Sequence, residues 1–248
     1  MVSVIETGHA KNAANFSEMV SYVSAYGTAY NPTNPSISIP ALQKLRVDAR
    51  NVFAELNVLL ATHGNAVAAR DVAFTPLNRK VTRILNAMKA ITTSSQVDDN
   101  AKTLARKIQG KRASAKKTEE EKQALAAEGK EIREISSSQT SFDSRLENLD
   151  KLIKLLSSLP LYNPNEEDLK VTSLVAFYDD LVNKNNDVVT ALVALSNARI
   201  TRNNILYNEN DGMLSLVAAV KAYVKSIFGS TSPQYKQVSG LIFRPFKN

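Results

Sequence analysis

Few side chains in this 248-residue chain have the type and spacing to do chemistry. The two histidines are His9 and His63. Glu6 and His9 have the Glu-x-x-His spacing that puts two ligands on one helix face, but a di-iron bundle needs that motif on two helices with further carboxylates opposite. It occurs once here, with Gly8 inside it and in a terminus expected to fray. His63 holds a position whose counterpart 132 residues later is Leu195, so it reads as a half-buried structural histidine rather than a general base. Cysteine is absent, which excludes disulfides, thiol nucleophiles and thiolate metal sites. Phosphate-cradling glycine loops and the G-x-S-x-G elbow are absent too. With no convergent set of titratable groups, the chain reads as a non-enzyme with no metal and no cofactor.

Two arginines stand out. Arg70 and Arg202 each close an N-A-x-x-x-R segment, at Asn65-Ala66 and Asn197-Ala198, and both fall on an inward row of a long amphipathic pattern. A guanidinium at such a place needs a carboxylate or several carbonyls. The expected role is a structural anchor that fixes how helices meet.

The remaining candidate is a basic block. Lys102, Arg106, Lys107, Lys111, Arg112, Lys116 and Lys117 lie between Ala101 and Lys117 without an acid among them, and the other 231 residues carry 24 basic and 24 acidic side chains. The net charge of +7 therefore has one origin. Such a block can bind phosphate backbones by displacing counterions, but it has no interleaved aromatics for base stacking. A solvated linker pairing with its acidic neighbour is the plainer reading, with nucleic acid or another polyanion as the alternative partner.

The elements that hold these residues are related by an internal repeat. Tyr30 to Ser94 aligns without a gap to Tyr162 to Ser226, with fifteen identities in sixty-five positions, against roughly four expected from composition. Each copy reads as a first helix (Asn12 to Tyr26; Phe142 to Leu159), an extended Y-N-P connector, one long helix (Ala41 to Phe74; Leu169 to Tyr207) and shorter helices after it. In the first copy Leu42, Ala49, Leu56, His63 and Arg70 recur every seven residues, flanked by Phe53, Leu60, Val67 and Phe74. That stripe is wide enough for a bundle. Gly64 should weaken the helix and Pro76 should end it.

The fold expected is all-α: a duplicated helical bundle of two similar halves, residues 1–109 and 136–248, each with one long central helix, joined by a charged linker at 110–135. Thr118 and Glu121 have capping-box spacing within that linker. The longest apolar run, Met213 to Val224, is twelve residues long and contains Lys221, short of the roughly twenty a spanning helix needs. No apolar signal-like run opens the chain. A cytoplasmic protein is expected, although export without a cleavable signal would leave the same sequence. A pore-forming reading lacks the long apolar hairpin it requires.

The segments K-I-Q-G-K-R-A (107–113), I-S-S-S-Q-T-S-F-D-S-R-L-E-N-L-D-K-L-I-K-L-L (135–156) and S-P-Q-Y-K-Q-V-S (232–239) resemble those of a family of bacterial helical proteins that has no assigned function. The resemblance covers most of the chain and transfers no site residues. It implies that the linker is a family feature, which favours something binding it. Taken together, the residues point to a non-catalytic helical scaffold or interaction protein, self-assembling through its amphipathic helices or bound to a protein partner.

Overall fold

A computed structural model describes residues 4–111 and 140–245, together with residues 118, 120, 123, 124 and 127. The protein is all-α, with no strand among the described residues. In order, the helices are α1 (Val4–Ala25), α2 (Ile39–Phe74), α3 (Leu77–Lys89), α4 (Ser95–Gln109), α5 (Phe142–Ser157), α6 (Val171–Tyr207), α7 (Met213–Phe228) and α8 (Pro233–Ser239).

Local chemistry sets most of these boundaries. Ser94, Ser141 and Ser232 cap α4, α5 and α8, their side chains accepting from the backbone N–H of Val97, Ser144 and Tyr235, which satisfies donors the first turn leaves unpaired. Pro40 sits in the first turn of α2, where its missing N–H costs nothing. Pro76 lies between α2 and α3, where it cannot donate to the ladder. The connector before α2 makes a short 3-10 turn, Pro35–Ile37, in which Asn34 accepts from Ser36 N. Gly64 does not interrupt α2.

Two expectations need correction. The first helix begins at Val4 and not near Asn12, so His9 lies in a formed helix and is buried. Leu60, assigned to an inward flanking row, is 42% exposed. The stripe of α2 is narrower there than the heptad pattern implies.

The chain forms two compact units, and they cut across the sequence halves. The first comprises Met1–His63 and Ala191–Asn248, the second Gly64–Thr190. The boundary falls inside both long helices. In the first unit the core joins Phe16, Met19, Val20, Leu42 and Ala49 to Leu206, Val217, Val220 and Val238. In the second it joins Phe74, Leu77, Ile84, Met88 and Ile108 to Leu149, Leu152, Leu156, Leu174 and Leu181. Each of the larger side chains among them contributes about 1.5–3 kcal/mol by leaving water. A small cluster in the first unit, Leu56, Leu195 and Ala198, packs on Leu59. The 110–135 linker, with Glu121 of its capping box, lies largely outside the described residues.

The 132-residue shift that relates the sequence copies also relates structural features. It carries Ile39, the start of α2, onto Val171, the start of α6, and the 3-10 turn Pro35–Ile37 onto Glu167–Leu169. It carries buried Leu42, Leu56, Phe74 and Ile84 onto buried Leu174, Val188, Leu206 and Leu216. Tyr30 donates its hydroxyl to Ile37 O at 2.8 Å, and Tyr162 donates to Leu169 O at 3.1 Å. In the first unit α8 packs on α1 and α7; in the second α4 packs on α5 and α3.

A Cβ added at Gly64 meets nothing within 4 Å, so Gly64→Ala removes backbone freedom from the unfolded chain without a steric cost. Thermal and denaturant melts should show a gain of about 0.5–1 kcal/mol. A loss of stability would contradict the open surroundings.

Candidate functional site

The Arg70 site forms where the end of α2 meets the start of α5 and the middle of α6, all within the second unit. Arg70 Nη1 donates to Asn185 Oδ1 at 3.3 Å, and Asn185 Nδ2 donates to Asp143 Oδ1 at 2.8 Å. The guanidinium carbon lies 3.8 Å from the Phe142 ring centroid, close enough for a cation–π attraction. Phe142 meets Phe74 edge-on at 4.8 Å. Next to it Arg145 donates Nε to Ile108 O at 3.1 Å and Nη2 to Asn78 Oδ1 at 3.2 Å; burial lowers the pKa of this guanidinium. The carboxylate expected beside Arg70 is thus reached through an amide, and an aromatic face supplies the direct contact. Guanidinium, amide and carboxylate in series fix an angle between helices; they do not present a nucleophile to a substrate.

Arg202 occupies the matching position in the first unit and is 3% exposed. Its Nε and Nη2 both donate to Asn203 Oδ1, at 3.1 and 2.9 Å. Asn203 is its neighbour in sequence, whereas Asn185 comes to Arg70 from another helix. The two positions share the arginine, and Arg70 in addition meets an amide from another helix.

Four of the seven basic candidates are described: Lys102, Arg106 and Lys107 on α4 and Lys111 just after it. Arg112, Lys116 and Lys117 lie outside the described residues. Arg106 and Lys107 stand in the last turn of α4, before Gly110 at φ 67°, where cations complement the helix dipole. Lys102 pairs with Asp99 at 3.0 Å and Arg106 donates to Thr103 Oγ1 at 3.1 Å. With Gln109 and Lys111 they line an open groove of about 580 Å³.

The groove with the most mixed chemistry is elsewhere in the second unit. It measures about 440 Å³, and the end of α3 faces the Y-N-P-N-E connector across it, within the roughly 300–1,000 Å³ common for ligand clefts. Arg83, Asn86 and Ile91 form one wall, and Tyr162, Asn163, Asn165 and Glu166 the other. Asp168, beside it, accepts from Lys80 Nζ at 3.2 Å and Arg83 Nη2 at 3.0 Å. Those bonds, Arg83 first, hold its carboxyl below the ordinary range. Burial pushes the Tyr162 hydroxyl up to about 12.

In the first unit, buried polar groups tie the C-terminal segment to α1. Asn12 donates Nδ2 to Arg244 O at 2.8 Å and accepts from Arg244 N at 2.9 Å, and Asn15 donates to Ile242 O at 2.7 Å. His9 Nδ1 and Tyr207 Oη lie 2.6 Å apart. Sequence reasoning missed these asparagines because polar residues on a first helix look solvated. Their spacing of three beside Phe16 and Met19 was the available signal.

Among the described residues no group of three or more His, Cys, Asp or Glu side chains could hold a metal, and no helix is long and apolar enough to cross a membrane. No family model, no curated protein and no solved structure matches the chain.

Arg70→Met keeps bulk but removes the cation and the bond to Asn185. The melts should show a loss of about 1–2 kcal/mol, and an equally stable variant would remove the anchor role. The raised Tyr162 hydroxyl stabilises the fold fully below its unfolded pKa of roughly 10, and that contribution is lost as pH rises towards 12. Tyr162→Phe should cost about 1 kcal/mol at pH 7 and flatten the decline of stability across that alkaline window.

Proposed function

We propose that this protein is a non-catalytic helical interaction protein that self-associates through exposed apolar faces of its two long helices. The observation that carries this reading is a row of aliphatic side chains in water. On α6, Val175, Val189, Val193 and Ile200 are 42%, 53%, 53% and 56% exposed. At 100° per residue, Val193 and Ile200 of the first unit lie within about 20° of each other, and Val175 and Val189 of the second within about 40°. On α2, Val47 and Val58 of the first unit are 50% and 66% exposed and share an arc of about 20°, and Val72 of the second is 72% exposed. Scattered single hydrophobics are ordinary on a surface, whereas aligned ones mark an interaction face. A second copy offers the same aliphatic side chains, so apolar surface meets apolar surface.

A second reading has its own observation, the groove on α4 lined by Lys102, Arg106 and Lys111. Three cations around one concave surface suit a polyanion. In this reading the basic segment 101–117 binds nucleic acid, and retention on heparin weakens as salt rises.

Sedimentation of the purified protein across concentration, before and after nuclease, separates the two. Self-association predicts a mass that grows with concentration and ignores nuclease. Val193→Glu with Ile200→Glu should weaken it by about tenfold or more, and both sites are exposed enough to leave the melting temperature unchanged. A monomer up to about 1 mM, or a complex that nuclease dissolves, would remove the self-association reading.

A further inference from the structure

The 132-residue shift matches the groove between α3 and its connector in the second unit to a place in the first unit that a side chain fills. In the first unit α7 runs on to Phe228, so Tyr223 stands inside the helix against the Tyr30 connector. Its ring meets Tyr30 edge-on at 5.2 Å, and its hydroxyl oxygen accepts from Asn31 N at 3.2 Å. In the second unit the matching helix, α3, stops at Lys89. Thr92 and Thr93 follow, and Ser94 caps the next helix; β-branched residues and a capping serine disfavour continuing. The place of Tyr223 falls to Ile91, just beyond the helix end, and the matching amide, Asn163 N, donates to Leu161 O in a local turn instead. The groove between α3 and the connector is left open.

We propose that this open groove receives a tyrosine side chain from an extended peptide segment of a partner protein. The ring meets Tyr162 as Tyr223 meets Tyr30, and the hydroxyl oxygen takes over the backbone N–H of Asn163 from Leu161 O, the carbonyl it is bonded to in the empty groove. The rim supports a peptide occupant, since the amides of Asn86, Asn163 and Asn165 match backbone donors and acceptors. It also selects against an anion: its one cation, Arg83, is already bonded to Asp168, and Glu166 stands on the opposite wall. Leu161, 63% exposed, gives the lip an apolar contact for the ring. This inference is independent of the association through α2 and α6.

The test is a titration of isotope-labelled protein with acetyl-Gly-Tyr-Gly-amide, followed through backbone amide shifts. Shifts should concentrate at Ile91, Asn163 and Asn165, with a Kd of about 1–10 mM, as suits one side chain. The Phe tripeptide should bind about fivefold more weakly for want of the hydroxyl, and p-cresol more weakly than the Tyr tripeptide for want of a backbone. Asn86→Trp places a large ring over the groove from an exposed helix position and should weaken binding about tenfold. Its melting temperature shows that it is folded. Tyr223→Ile should open the counterpart groove and add a second set of shifts at Asn31. Absence of shifts at about 20 mM Tyr tripeptide, equal affinity for the Phe tripeptide or p-cresol, or unaltered binding by Asn86→Trp would each overturn the proposal.

Discussion

An apolar stripe on a helix must be covered along its whole length, and the stripes of α2 and α6 outrun every helix beside them in sequence. At 36 and 37 residues these helices are about 54 Å long, whereas α3 and α5 have 13 and 16 residues. Each long helix is consequently buried at its two ends by different cores. Leu42 and Ala49 of α2 belong to the core with Phe16 and Val220, and Phe74 of the same helix belongs to the core with Leu152 and Leu174. For α6 the order reverses, with Leu174 and Leu181 in one core and Leu206 in the other. Neither sequence half closes a core from its own residues.

The same framework residues recur at both ends of the 132-residue shift. Tyr30 and Tyr162 each close a connector by bonding a backbone carbonyl seven residues on, which holds the entry to the long helix. Residues around that framework were free to diverge. α7 extends and carries Tyr223, whereas α3 ends early, and the same groove is filled in one unit and open in the other.

Polar groups placed inside do the work of orientation. A buried amide or guanidinium tolerates few geometries once its partners are fixed. Arg70 with Asn185, Asp143 and Phe142 sets the meeting of α2, α5 and α6. Asn12 and Asn15 hold the backbone of the C-terminal segment against α1. These contacts discriminate between packings that aliphatic side chains alone would accept.

Much of the fold was legible in the residues. Three- and four-residue spacing of Phe16, Met19, Val20 and Val23 identified α1, the Thr75-Pro76 break separated α2 from α3, and the identical Y-N-P segments revealed the repeat, because periodicity, proline and capping serines act locally. Of the two arginines read as inward, Arg202 is buried and Arg70 is half-buried. What only the tertiary structure decided is which copy covers which stripe, that Leu60 faces water while His9 does not, that Phe142 and not a carboxylate faces Arg70, and that Ile91 leaves a groove where Tyr223 fills one. Those outcomes depend on contacts between residues a hundred or more positions apart, such as Arg70 with Asn185 and Asn12 with Arg244, and a local pattern carries no record of the partner it will meet.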